Sequence, residues 1–302
     1  MVSHLPNHRV RVLLLKSLFH VLSWLPLRAT HALGAAIGWL FAVIPNKRRR
    51  TADINLKLCF PEMKEYTRAR LARRHLMEFG KTFTETAVLW TCDAGELDKL
   101  VRKVSGEELL KNAMRHGKGL ILAMPHLGAW ELVSLYCSRR YPLTTMYRTP
   151  PMSAFGNMMR TARERFGARL VSGEKNGIRA LYRALENGEM VAILPDQIPA
   201  SRSGAVSAPF FGIPTSTMVL LSRLAMKTQA PVIFSYAERL PRGKGYHVHF
   251  LMAQAGINGR DLERSVALVN AMVEHCVREL PEQYQWVYKR FRGQPKGEKA
   301  HY

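Results

Sequence analysis

Between residues 119 and 252 the chain repeats one pattern: a short, wholly apolar run, a turn rich in Gly, Pro or Asn, then a longer stretch whose apolar positions recur every three to four residues. The short runs read as buried strands and the longer ones as amphipathic helices. The predicted strands are 120–123, 143–147, 168–171, 189–194, 231–236 and 246–252. The helices are 66–90, 106–116 (entered through Ser105 as cap), 129–136, 154–166, 178–185, 216–226 and 262–280. Residues 201–208 read as a polar connection. Alternation of this kind predicts an α/β fold, a mixed central sheet flanked by helices.

The N-terminal pattern differs. Residues 9–25 are apolar apart from one narrow stripe, Lys16, His20 and Ser23, and Pro26 ends them. A second run, 32–45, carries Gly34, Gly38, Trp39 and Phe41 with no charge, and Lys47-Arg48-Arg49-Arg50 follows at once. As a helix that second run spans about 22 Å, short of a hydrocarbon core of roughly 30 Å. The apolar pair with its basic flank reads as a monotopic or shallowly inserted anchor facing anionic headgroups. A signal peptide fits poorly, because Lys16 and His20 interrupt the apolar region. The expected organisation is an anchoring segment at 1–46, an α/β domain at 47–292 and a flexible basic tail at 293–302.

Charge alters the picture more than composition does. The 302 residues hold 45 Lys+Arg against 23 Asp+Glu, a formal net charge of +22, which directs the surface toward anionic partners. Exposed aromatics interleaved with that charge would point to nucleic acid, but the aromatics lie in apolar periodic runs, so no nucleic-acid partner is expected. Cys59, Cys92, Cys137 and Cys276 are widely spaced, form no C-x-x-C pair, and read as buried thiols of a reducing compartment.

Three predicted strands end in a proline or turn beside a polar residue: His126, Arg148 and Asp196. In open α/β sheets ligands bind in the crevice at the strand C-termini, so these three ends suggest one site. Glu131 follows His126 by five residues. On one continuous helix such a pair would point about 140° apart, so they meet only if Pro125 holds the histidine ahead of the helix. A carboxylate accepting from one imidazole nitrogen leaves the other basic, which is equipment for deprotonating an alcohol.

Taken in order, several blocks resemble a known family. They are Arg48-Arg49-Arg50 with Asn55 to Glu62, the H-x4-(D/E) pair His126…Glu131, Tyr147-Arg148, Asn176 to Leu181, Leu194 to Gln197, Pro209 to Gly212, and Pro281 to Arg290. The chain is thereby similar to the bacterial lipid A biosynthesis acyltransferases, the late (secondary) members of the lysophospholipid acyltransferase superfamily. Two positions depart from the pattern: Glu131 stands where many members have Asp, and Thr149-Pro150-Pro151-Met152 stands where an Asn-Pro segment is usual. The resemblance implies a glycerolipid acyltransferase-like fold at the cytoplasmic face of the inner membrane. It also implies transfer of an acyl group from acyl carrier protein to a lipid A precursor, with anionic lipid as a further partner and no cofactor.

His126 held by Glu131 would act as general base in a direct transfer. Arg148, or backbone N–H groups at the start of the helix after Gly128, would meet the oxyanion. Asp196 and Gln197 would contact substrate. Phe210, Phe211, Met152, Met158 and Met159 would line an acyl channel. Lys289 and Arg290 would hold a phosphate, and Arg160, Arg163 and Arg165 would dock the carrier protein. The rivals are an acyltransferase for another lysophospholipid or glycolipid, a non-catalytic basic membrane-binding protein, and a metal hydrolase using His247 and His249. Those two histidines share a strand face but have no third ligand near them in sequence, so no metal site is expected.

Overall fold

A computed structural model describes residues 16–147, 153–199, 202–292 and 301–302. Seven strands form the central sheet in the order β1 (Val101–Ser105), β9 (Tyr246–Met252), β8 (Val232–Arg239), β2 (Leu120–Ala123), β5 (Met190–Ile193), β3 (Leu143–Tyr147) and β4 (Arg169–Ser172). All neighbours are parallel except β8 and β9. The mixed α/β sheet flanked by helices is therefore the architecture the apolar runs predicted.

The core strands β2 and β5 are buried on both faces, which is why they read as unbroken apolar runs rather than alternating ones. Ile121 and Ala123 pack with α8 (Lys175–Glu186), α9 (Leu220–Thr228) and α10 (Leu262–Glu279). Leu120 and Leu122 pack on the other side with α5 (Glu107–Arg115) and α6 (Trp130–Ser138). All four cysteines are buried thiols.

Several elements depart from the expectation, among them β1, where no strand was predicted. Residues 205–218 form a hairpin, β6 (Ala205–Phe210) with β7 (Ile213–Met218), before α9 begins at Leu220. Its inward positions on β7 are Thr215 and Thr217, both buried, and Pro209 faces Pro214. A strand whose core face is threonine has no apolar alternation to detect. Helix α5 starts behind Gly106, in the left-handed region, rather than from a Ser105 cap.

The second apolar run of the N-terminal segment does not stand free. Helix α1 (Leu27–Val43) lies against α3 (Glu65–Thr91), with the basic helix α2 (Lys47–Cys59) between them in sequence. The approach is close enough to need small residues: a Cβ on Gly38 would sit 2.1 Å from Leu76 O, and one on Gly80 would sit 2.0 Å from Gly34 O. Among the described residues no single helix is long and apolar enough to cross a membrane; α1 and α2 together pass on length and composition but bend by 81°. The outer side of α1 exposes Leu33, Ile37, Trp39, Leu40 and Val43.

Candidate active site

In the parallel β2–β5 ladder Ala123 pairs with Ile193. His126 and Asp196 each lie three residues beyond, after Pro125 and Pro195, so two turns of matching length leave adjacent strands at the same end of the sheet. Asp196 grips the histidine twice: its Oδ1 lies 2.8 Å from Nδ1, and its Oδ2 accepts the His126 backbone N–H at 2.9 Å. The carboxyl is almost fully buried, which alone would raise its pKa, yet the His126 charge and these hydrogen bonds hold it below the usual carboxylate range. An ionised Asp196 on Nδ1 makes that nitrogen the protonated one and leaves Nε2 as the base. The side-chain amide of Gln197 donates to Nε2 at 3.1 Å and lies 3.4 Å from Gln285 Oε1.

The expected His126–Glu131 contact is replaced by another. Glu131 is buried in the first turn of α6 and accepts from Trp90 Nε1 at 3.1 Å and from Arg163 Nε at 2.9 Å, with a second, Nη2, bond to Arg163. Burial would raise its pKa, but the Arg163 guanidinium, the Trp90 hydrogen bond and the nearby His126 charge together bring it below the usual value. Arg163 comes from α7 (Ser153–Glu164), and this contact overturns its expected place on a carrier-protein dock. Arg165 likewise turns inward, to Leu89 O at 2.6 Å, and Arg160 reaches the Tyr147 hydroxyl at 2.6 Å. A solvated arginine stripe and a buried one look alike in sequence; here the partners lie 32 or more residues away for Arg163 and Arg165.

Arg148 and Met152 fall outside the described residues. Of the amides around the start of that helix, two are committed elsewhere: Gly128 N–H donates to Gln283 O at 3.1 Å and Ala129 N–H to Ala237 O at 2.8 Å. Gly128 sits at φ +60, and a Cβ there would meet Ala237 O at 2.0 Å, so the turn admits only glycine.

The block 281–290, with Lys289 and Arg290 expected to hold a phosphate, forms a brace behind the histidine. Gln285 N–H donates to His126 O at 3.1 Å, and Tyr288 OH accepts from Ile198 N–H at 3.0 Å. Asn55 of α2 clamps the block from outside, donating to Trp286 O at 2.6 Å and Tyr288 O at 2.7 Å. Arg290 is buried, bonded to Thr217 Oγ1 and Asn270 Oδ1 and packed over Phe210, so it is not available to a phosphate. Lys289 is exposed, its ammonium 5.3 Å from the Tyr302 ring. Phe210 is a core residue, and Phe211 packs its ring on Phe60 and Trp286 rather than lining a channel. Met159 is buried beside Trp90 and Ala162, with Met158 packed against them.

A second polar cluster steadies the same turn. Arg239 binds Glu85 through Nε, at 2.8 Å to Oε2, and its Nη2 reaches Gly128 O at 2.9 Å. Glu85 also takes His31 at 3.0 Å and the Tyr246 hydroxyl at 2.9 Å. Sequence reasoning missed Glu85 and Arg239, because nothing local marks a buried pair 154 residues apart.

Comparison with known proteins bears on what this geometry serves. The family described as bacterial lipid A biosynthesis acyltransferase matches residues 6–293. The chain is 26% identical over 282 residues to a lipid A biosynthesis lauroyltransferase of Escherichia coli K12, covering 92% of this chain and 90% of that one. It is 27% identical over 277 residues to a lipid A biosynthesis palmitoleoyltransferase of the same organism (89% and 87%). A phosphatidylinositol mannoside acyltransferase of Mycobacterium tuberculosis is 28% identical over 180 residues, 58% of this chain and 56% of that one.

Proposed function

The chain belongs to the bacterial lipid A biosynthesis acyltransferases, and from that membership we propose that it moves a fatty acyl group from the thioester of acyl carrier protein to a hydroxyl of a lipid A precursor. The observation that carries the mechanism is the double grip of buried Asp196 on His126, which leaves Nε2 as the free base. The acceptor hydroxyl displaces the Gln197 amide from Nε2 and gives up its proton there as its oxygen attacks the thioester carbonyl. The tetrahedral oxyanion then collapses, and the carrier thiol leaves with the proton from His126. The released Gln197 amide and Arg148 are the donors for the oxyanion. Glu131 is pinned by Arg163 and Trp90, and its charge is spent on that guanidinium. No acyl-enzyme is needed; Cys137, nearest in sequence, is buried within α6 and burial pushes its thiol up to about 12.

The reaction belongs at the cytoplasmic face of the inner membrane. What supports this is the exposed apolar side of α1 beside exposed Lys47, Arg48, Arg49 and Arg50, a surface suited to lying in anionic headgroups without crossing the bilayer. Purified protein with acyl carrier protein thioesters of several lengths and a lipid A precursor, read by mass spectrometry, tests the whole reading. One acyl mass should be gained, and folded His126→Ala should lose about 10²–10⁴ in rate. Transfer to a mannosylated glycolipid alone would move the acceptor to the class named for the mycobacterial relative. Undiminished turnover by the variant would end the mechanism.

A further inference from the structure

The antiparallel β8–β9 pair sets Glu238 directly opposite His247, with Tyr236 opposite His249. His247 and His249 are two apart on β9 and so share a face, and Glu238 supplies from the neighbouring strand the third group that no local sequence signal reveals. His247 Nδ1 lies 3.6 Å and His249 Nε2 3.2 Å from one oxygen, Glu238 Oε2, and the three ligand atoms all lie within 4.8 Å of one another. Atoms bound tetrahedrally to zinc at about 2.0–2.2 Å stand roughly 3.3–3.6 Å apart. The two distances to Glu238 Oε2 are close to that spacing, so the carboxylate already stands where it could share a metal with either imidazole. We infer that Glu238, His247 and His249 form a metal site of the zinc class, separate from His126 and open to a fourth ligand from solvent.

Three further observations carry it. Ser105 Oγ of β1 sits 2.8 Å from His247 Nε2, the outer-shell partner that takes a ligating imidazole's remaining N–H and points its lone pair at the metal. The Tyr236 ring stacks on His249 at 4.5 Å and 15°, holding that ring in plane. The two imidazoles lie 3.8 Å apart, a separation at which two protonated rings repel. Neutral imidazole is the ligating form. Lys103, the register partner of His247, is exposed and so not forced against the ligand atoms. The three side chains keep 27%, 11% and 21% of their surface for Glu238, His247 and His249, enough for water to complete the shell. Two imidazoles with one carboxylate favour zinc over magnesium or calcium, which demand oxygen.

The site also has a place in the architecture. Glu238 stands between Ala237 and Arg239, both of which hold the turn after His126. A metal there clamps the strand that carries Ala237 and Arg239, without touching the reacting atoms.

The test uses untagged full-length protein, stripped with chelator and titrated with zinc sulfate against a chromophoric competitor. Wild type and His126→Ala should each bind one zinc per chain in the micromolar range or tighter. His249→Ala should lose that binding, and Glu238→Gln, which keeps the shape, should weaken it more than Ser105→Ala, itself about 10- to 100-fold weaker. Zinc should raise the melting temperature of wild type and not of His249→Ala, because only a ligand of the folded state shifts it. Zinc binding unchanged by all three substitutions, or no binding by wild type at micromolar free zinc, overturns the site and leaves a proton-sharing His–Glu–His cluster.

Discussion

Asp196 and Glu131 are both buried carboxylates near His126, and their contacts assign them different work. Asp196 holds the ring and the backbone of His126; Glu131 neutralises Arg163. Asp196→Asn should therefore lower kcat by about 10²–10⁴ with little change in melting temperature, since an amide fits the same space but no longer enforces the tautomer. Glu131→Gln should first cost stability, about 3–5 kcal/mol, because it strands a mostly buried guanidinium, and Arg163→Met added to it should restore much of that loss. If instead Asp196→Asn turns over normally while the stability-matched Glu131 double variant is dead, Glu131 is the partner of His126 after all. His126 and Asp196 were legible in the sequence because a buried strand followed by proline announces an exposed strand end. The partner of Glu131 was not: its five-residue spacing from His126 said only that the two could meet, and a guanidinium 32 residues away made the shorter bonds.

Among the elements, the strands buried on both faces and the long helices α3 and α10 were readable from apolar period alone. The β6–β7 hairpin was not, because its buried face is made of Thr215 and Thr217 serving Arg290 and Asn270. The placing of α1 was hidden for a related reason: what seats it is a glycine contact with α3 and a buried polar set, His31–Glu85–Arg239, reaching from α1 to the end of β8. Burial alone would raise the Glu85 pKa, but Arg239 and His31 bring it down to about 2. The folded-state value lies below the unfolded one, near 4.5, so this ion contributes stability that is complete above pH 4.5 and lost as pH falls toward 2. The loss runs at up to about 1.4 kcal/mol per pH unit. Urea unfolding of wild type should show that acid limb. Glu85→Gln should be less stable by about 3 kcal/mol at pH 7 and should lack the component. An identical limb in the variant would mean that Asp196, Glu131 or another carboxylate accounts for it.

At the scale of the molecule, the +22 charge and the apolar side of α1 must be read together. Part of the charge is spent internally, as Arg163, Arg239 and Arg290 show, so formal charge overstates what the surface presents. Among the charge that remains outside, Lys47 to Arg50 on α2 and Arg70, Arg73 and Arg74 on α3 are exposed, and Trp39, Leu40, Val43 and Ile44 lead directly into the first of these groups. A basic residue near an anionic leaflet contributes about 1 kcal/mol, and that contribution fades within a Debye length, about 10 Å at 0.1 M salt and 3 Å at 1 M. Apolar insertion does not fade with salt. The two contributions therefore separate in a vesicle-flotation assay. Wild type should bind vesicles containing phosphatidylglycerol more tightly than neutral phosphatidylcholine ones, and raising salt should erase the difference without abolishing binding. Arg49→Glu with Arg50→Glu should remove the preference for anionic lipid and leave the salt-resistant part. Trp39→Ser with Leu40→Ser should do the reverse, since those side chains are exposed and the fold does not depend on them. Equal binding to both vesicle types at low salt would mean that the exposed charge serves the acidic carrier protein and the phosphorylated acceptor rather than the bilayer. Activity with those substrates should then fall with salt while membrane binding stays constant.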